Sequence, residues 1–343
     1  LLSSLIGDYR AATSYTDTDI SWGVDTVDLG GLSIQDAIPF VINAASQHRR
    51  VVIISENHVK PQHRLFALDV INQLADIGFT HLGMETLSSF SDGTLVDSML
   101  HDRGYPLDHP RTGTYTLEPQ MGNIVRMALA RGYKLFPYER TTRIGDKGRE
   151  EIQADNIIAY INDNPEAKVI ILCGFHHTVE SDLMKNASSK YMANYLKDKT
   201  GLDPLTIYQD NFTEKFMSNE HPLLRRINIT KPSLFTDRES SLVSLTPHVD
   251  IEIIHPRTIY LKGRPNWMFR MGQREAVDID QRDIGSYPVI ISTYIKGESN
   301  SVPVDRIELK HINDTKVLVL APGSYRIQID NGNEVTAVEK EVK

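Results

Sequence analysis

Four consecutive apolar residues, Val51-Val-Ile-Ile54, run without period-2 alternation and stop abruptly at Ser55-Glu56-Asn57-His58. Such a run predicts a strand buried on both faces, as in parallel sheets flanked by helices. Pro61 suits the first position of the next helix, which places Glu56 and His58 in a tight strand-to-helix turn. That helix is expected from Pro61 to about Ile77, with Leu65, Leu68, Ile71 and Ala75 on one face and Gly78 as its stop signal. Ahead of the strand, Ser33-Ile-Gln-Asp36 reads as a capped helix start leading into a stripe of Ile38, Val41, Ile42 and Ala45.

The pattern then repeats. Thr80–Met84 is a second short strand ending in Glu85; Ser91 or Asp92 suits the cap of a short helix to His101, and residues 102–118 form a loop long enough to act as a lid. Pro119 opens a helix closed by Gly132, and Tyr133–Pro137 is a third strand ending in Tyr138-Glu139-Arg140. A charged helix over about 147–163 leads to the strand Lys168–Leu172 and then Cys173-Gly174-Phe175-His176-His177. Helical segments to about Lys199 and a fifth strand, Pro204–Tyr208, complete an alternation that predicts an α/β fold with a mostly parallel sheet.

After Asp210 the texture changes. Residues 212–247 lack a clear period and carry Pro222, Pro232 and Pro247, as an extension or linker packed on the first domain would. Residues 248–343 offer short strand-like runs, among them Val289–Ile291 and Tyr325–Ile329, with turns at Pro322-Gly323 and Asn331-Gly332-Asn333. These predict an all-β domain of sandwich type. The expected organisation is an arm over residues 1–32, containing Trp22, an α/β domain over 33–211, the linker, and the β domain.

Composition narrows the function classes. At 343 residues and 40% hydrophobic the chain can fill more than one core. A formal charge of −8 without a polybasic run argues against nucleic acid or an anionic membrane as the main partner, and no stretch is long and apolar enough to span a bilayer. Cys173 is the single cysteine, which removes disulfide frameworks and cysteine-based zinc sites. The first residue is Leu1, consistent with a processed leader; export to the periplasm or cell surface is the expectation, with the cytoplasm as the other option.

Four successive predicted strands end in ionisable residues: Glu56 and His58, Glu85, Glu139 and Arg140, then His176 and His177. In a parallel sheet these tips lie along one edge and converge on one crevice. His58 is the natural general base, and Glu56 and Glu85 are orienting or proton-transfer groups. Alternatively His58, His177 and Glu85 would hold a catalytic divalent metal with an open position. A third reading is a buried ion-pair network with Arg140 balancing the glutamates. His63 and Arg64 are placed to contact an anionic ligand or to lie on the surface, and Cys173 is either a nucleophile or a small core residue. No Gly-x-Ser-x-Gly elbow, phosphate loop, Gly-x-Gly-x-x-Gly or His-Glu-x-x-His occurs.

Ser55-Glu56-Asn57-His58 followed by Pro61-Gln-His63-Arg64 resembles the Gly-Glu-x-His motif of the superfamily of ChaN-like haem-uptake lipoproteins, erythromycin esterases and Tiki/TraB metalloproteases. Met84-Glu85 resembles its strand-ending glutamate, and Gly174-Phe-His-His177 its second Gly-x-x-His motif. The resemblance spans roughly residues 34–210, with Ser55 standing where the family usually has Gly. It implies His58 and His177 as paired functional histidines, with Glu56 and Glu85 beside them and His176 in support.

The expected function is a hydrolase in which His58, oriented by Glu56, activates water against an ester, lactone or amide of a small molecule or peptide. Glu85 and His177 would position the substrate or a divalent metal (Zn, Mn or Co). His63, Arg64, Glu139, Arg140 and His176 would complete the binding surface, with Arg140 steadying the developing anion. The alternative is a non-catalytic haem or small-ligand binder in which Tyr105, Tyr115 or Tyr138 supplies a contact. A third possibility is an interaction module in which the β domain docks a protein partner or a surface and the crevice is vestigial.

Overall fold

The computed structural model describes residues 2–14, 29–47, 49–139, 147–181, 190–215, 220–246, 248–270, 274–280, 282 and 284–343. Two short helices, α1 (Leu2–Leu5) and α2 (Tyr9–Ser14), precede β1 (Ser33–Asp36), α3 (Ala37–Ser46) and β2 (Val51–Glu56). The chain continues through α4 (Pro61–Leu74), β3 (Phe79–Met84), α5 (Leu100–Arg103), α6 (Pro119–Ala130) and β4 (Lys134–Pro137). Next come α7 (Arg149–Asp163), β5 (Lys168–Gly174), α8 (Met192–Thr200) and β6 (Leu205–Phe212), followed by β7 (Ser233–Thr236), β8 (Leu242–Val243) and β9 (Ile251–Ile254).

These nine strands form one mixed sheet in the order β1-β7-β9-β6-β2-β5-β3-β4, with β8 paired to β7. The pairs from β9 to β4 are parallel; β1, β7 and β8 join antiparallel. Val52 and Ile54 of β2 face α3, α4 and α6, while Val51 and Ile53 face α7 and α8. Every residue of β2 is buried, which accounts for the unbroken apolar run, and each buried Ile stabilises the sheet by about 1.5–3 kcal/mol. Because α4 follows β2 on one face and α8 follows β5 on the other, the crevice between the carboxyl ends of these neighbouring strands is a topological switch point.

The C-terminal region is separate and antiparallel. A ribbon pairs β10 (Tyr260–Leu261) with β11 (Arg264–Pro265). Further on, β12 (Glu275–Val277) pairs with β15 (Leu318–Leu320). The strands β13 (Val289–Ile295), β14 (Asp305–Leu309), β16 (Gly323–Asp330) and β17 (Val335–Val342) form a sheet in the order β14-β13-β16-β17. Val277, Ile291, Ile307, Leu318 and Ile327 share its core. The β16–β17 hairpin turns at Asn331-Gly332, where Gly332 has φ +81°, a left-handed conformation that glycine adopts without a Cβ clash.

Several expectations are corrected. The sheet is mostly parallel as expected but mixed, with an antiparallel edge: residues 212–247, expected as a linker, supply β7 and β8, and β9 lies inside the main sheet rather than in the β domain. The free edge of β6 explains this, since pairing with β9 satisfies its backbone groups and buries Ile251 and Ile253 on the α3 side. Ser33–Asp36 is a strand, and Asp36 makes no side-chain cap to α3. In the arm, Tyr9 is buried against Trp267, with ring centroids 5.4 Å apart; Trp22 lies outside the described residues.

The segment 102–118 is clamped rather than loose. The Asp108 amide donates to the Asn300 carbonyl at 2.7 Å, and the Val302 amide to the Pro106 carbonyl at 3.1 Å. The Asn123 side chain of α6 donates to the Val304 carbonyl at 3.0 Å. Among the described residues no helix is long and apolar enough to cross a membrane.

Candidate functional site

Glu56 ends β2 with 2% of its surface exposed, and its carboxylate oxygen Oε1 lies 2.5 Å from His58 Nδ1. Its second oxygen accepts from Arg64 Nε at 3.2 Å. Arg64, fully buried on the first turn of α4, also donates to Glu118 Oε2 at 2.8 Å and to the His58 carbonyl at 2.9 Å. Glu118 caps α6 by accepting from the Met121 amide at 3.0 Å and receives the Tyr9 hydroxyl at 3.3 Å. The His58 ring stacks on Tyr115, centroids 4.2 Å apart, and meets the edge of Phe175 at 5.4 Å.

Glu85, just past β3, forms the other half. Its Oε2 accepts the Gly174 amide at 2.5 Å and its Oε1 accepts from Arg149 Nη2 at 2.6 Å. Arg149, at the start of α7, also donates to both oxygens of Glu139 at 2.9 and 2.8 Å. His177 Nε2 lies 3.8 Å from Glu85 Oε1 and 3.4 Å from Arg149 Nη1, while its Nδ1 meets Glu150 Oε2 at 2.7 Å.

Gly174 joins the halves. A Cβ at this position would lie 2.6 Å from His58 Cε1, 2.7 Å from His58 Nε2 and 3.1 Å from Glu85 Oε2, so the imidazole rests directly on the glycine. The following Phe175 has φ +34°, a conformation that costs a bulky residue about 1–3 kcal/mol and directs the turn carrying His177. Tips of β2, β3, β4 and β5 therefore meet in one place. The space left is a narrow cleft of about 10 Å³ bounded by Glu56, His58, Glu85 and Tyr115, room for about one water.

Electrostatics follow from the contacts. Burial opposes charge on Glu56, but Arg64 and His58 overcome it and hold the carboxyl below its ordinary range. Burial likewise opposes the imidazolium of His58, and the charge and hydrogen bond of Glu56, helped by Glu85, more than compensate, so its pKa is raised above 6.5. Burial raises Tyr115, reinforced by Glu85 and Glu56.

Other predicted residues serve elsewhere. His63, expected to contact ligand, is fully buried: its Nδ1 accepts the Asn57 amide at 3.1 Å, its ring stacks on His255 at 4.7 Å, and burial lowers its pKa well below normal. Arg64 cannot reach a ligand from its buried position and holds Glu56 instead. His176 neighbours Tyr208 and Tyr191, and burial lowers its pKa. Cys173 is buried with its thiol pushed well up by burial, a core residue and not a nucleophile. Arg140 lies outside the described residues. Sequence reasoning missed Arg149, Glu118 and Glu150; only the charged start of the helix near 147 hinted at the first.

For a metal, the donor set fits poorly. Among the described residues no three His, Cys, Asp or Glu side chains are grouped to hold an ion. His58 and His177 each commit Nδ1 to a glutamate, and the Arg149 guanidinium sits between Glu85, Glu139 and His177. Two of the three tyrosines considered for a haem contact are engaged elsewhere: the Tyr138 hydroxyl donates to the Leu172 carbonyl, and the Tyr105 hydroxyl accepts the Ser299 amide.

No family model and no curated protein matches the chain. Among solved structures, the type III effector HopBA1 is similar over 66% of this chain and 98% of its own, at 14% identity and a TM-score of 0.40.

Proposed function

We propose that the chain is a hydrolase in which His58 activates a water molecule against an ester, lactone or amide carbonyl. The observation that carries this reading is the Glu56–His58 contact of 2.5 Å, with Nε2 of the same ring at the cleft and without a hydrogen-bond partner among the described residues. Glu56, kept anionic by Arg64, fixes the proton of His58 on Nδ1, so that Nε2 is the free acceptor. As water attacks, its proton passes to Nε2 and the imidazolium is stabilised by Glu56. In this reading the half-exposed Arg149, held by Glu85 and Glu139 beside His177, supplies the positive partner for the developing oxyanion, the role expected of Arg140. The imidazolium then returns its proton to the leaving group. In this reading the C-terminal sheets are a sandwich-type brace that fixes the segment carrying Tyr115 against His58.

A panel of nitrophenyl esters, lactones and peptide amides, assayed with wild type, His58→Ala and His177→Ala, tests the proposal. Loss of the general base is expected to slow hydrolysis by roughly 10²–10⁴-fold. Equal rates in all three proteins would reject it.

A further inference from the structure

Away from the strand tips, a cavity of about 350 Å³ lies between α4 and α6 on one side and the C-terminal sheets on the other. Leu68, Met127, Ile295 and Leu320 give it a largely apolar wall, and two arginines, Arg126 and Arg274, complete it. Volume, apolar lining and position between two structural units are those of a small-molecule site.

The arginines give the site a direction. Arg126 is nine-tenths buried; its Nε donates to Glu298 at 2.9 Å and its Nη2 to Glu298 at 2.6 Å and to the Val302 carbonyl. Its Nη1 is buried without a hydrogen-bond partner among the described residues. A guanidinium N–H shielded from water and left unpaired is costly, which makes it an acceptor's natural target. Arg274 reaches Gln120 only at 3.4 Å, and burial lowers its pKa. Of the nearby acids, Glu298 is taken up on the Nε–Nη2 edge of Arg126, Asp305 is paired with Arg264 at 2.5 Å, and Asp69, which burial pushes up to about 6, is the one that faces Arg274.

We infer that this cavity binds a single-chain amphiphile with an anionic carboxylate head, its tail along Leu68, Met127 and Leu320 and its head against the Arg126 and Arg274 side chains. A carboxylate fits better than a neutral head because its two oxygens can accept from both guanidinium groups at once. This site is independent of the strand-end chemistry.

Isothermal titration of the full chain with decanoate, decan-1-ol and decyltrimethylammonium, each below its micelle concentration, tests it. Decanoate is expected to bind one per chain, roughly tenfold or more tighter than the alcohol, with no saturable binding of the cation. Arg126→Gln should weaken decanoate by about the same factor while leaving the alcohol unchanged. Met127→Trp, which fills the cavity from a half-buried position and keeps both arginines, should abolish binding of both and decides the matter if Arg126→Gln does not fold. Absence of saturable decanoate binding, equal affinity for acid and alcohol, or undiminished binding in Met127→Trp overturns the inference.

Discussion

Gly174→Ala isolates the packing on which the proposed centre depends. The backbone at this position has φ −82° and ψ 150°, which alanine adopts without strain, so any effect comes from the added methyl. That methyl would sit 2.6 Å from His58 Cε1, whereas carbon atoms prefer about 3.5–4.0 Å, and the ring must retreat by about 1 Å. Retreat is opposed by Tyr115 stacked at 4.2 Å and by the Glu56 contact at 2.5 Å. Overpacking of this kind costs about 1–3 kcal/mol, and a displaced base of this size lowers turnover by about 10²-fold. Urea unfolding and hydrolysis rates of wild type and Gly174→Ala measure both quantities, with Gly285→Ala as control, since an added Cβ there meets nothing nearer than 3.9 Å. Wild-type stability and rate in Gly174→Ala, or an equal loss in the control, would refute the reasoning.

Two other substitutions probe assignments made from burial. Cys173→Ala should leave the proposed hydrolysis unchanged and cost on the order of 1 kcal/mol, and the wild-type protein should resist iodoacetamide; inactivation by either route would restore the thiol to the proposed mechanism. Arg264→Met strips the fully buried Asp305 of its partner and should destabilise the protein by about 3–5 kcal/mol in urea titrations; a change below about 1 kcal/mol would show that the pair contributes little to joining the β10–β11 ribbon to β14.

Much of the site is legible in the chain because its determinants are local. The run Val51–Ile54 is apolar because both faces of β2 are covered, and the strand must release polar residues where the cover ends, at Glu56 and His58. The same logic places Glu85, Glu139 and His177. What escaped depends on contacts between distant segments. Arg64 reads as a surface helix residue until Glu118, at the start of α6, is folded against it. Arg149 reads as one charge in a charged helix until β4 and β3 bring Glu139 and Glu85 to it. Strands β7 and β9 are short and without period, and their place is set by the edge of β6 rather than by their own residues.

His58 gives the account its pH dependence. Its folded pKa lies above the unfolded value of 6.5, so the Glu56–His58 pair contributes stability that is complete below that value and is lost as pH rises through the folded pKa. Catalysis runs the other way, because the base must be neutral: kcat/KM should rise with pH through the same folded pKa. The decisive measurement is an NMR titration of the His58 ring beside the acid limb of kcat/KM, in wild type and Glu56→Gln. The account predicts one coincident pKa above 6.5 for ring and rate, falling in both when Glu56 loses its charge. A ring that titrates at or below 6.5 in wild type, or an acid limb that stays put while the ring shifts, would contradict it.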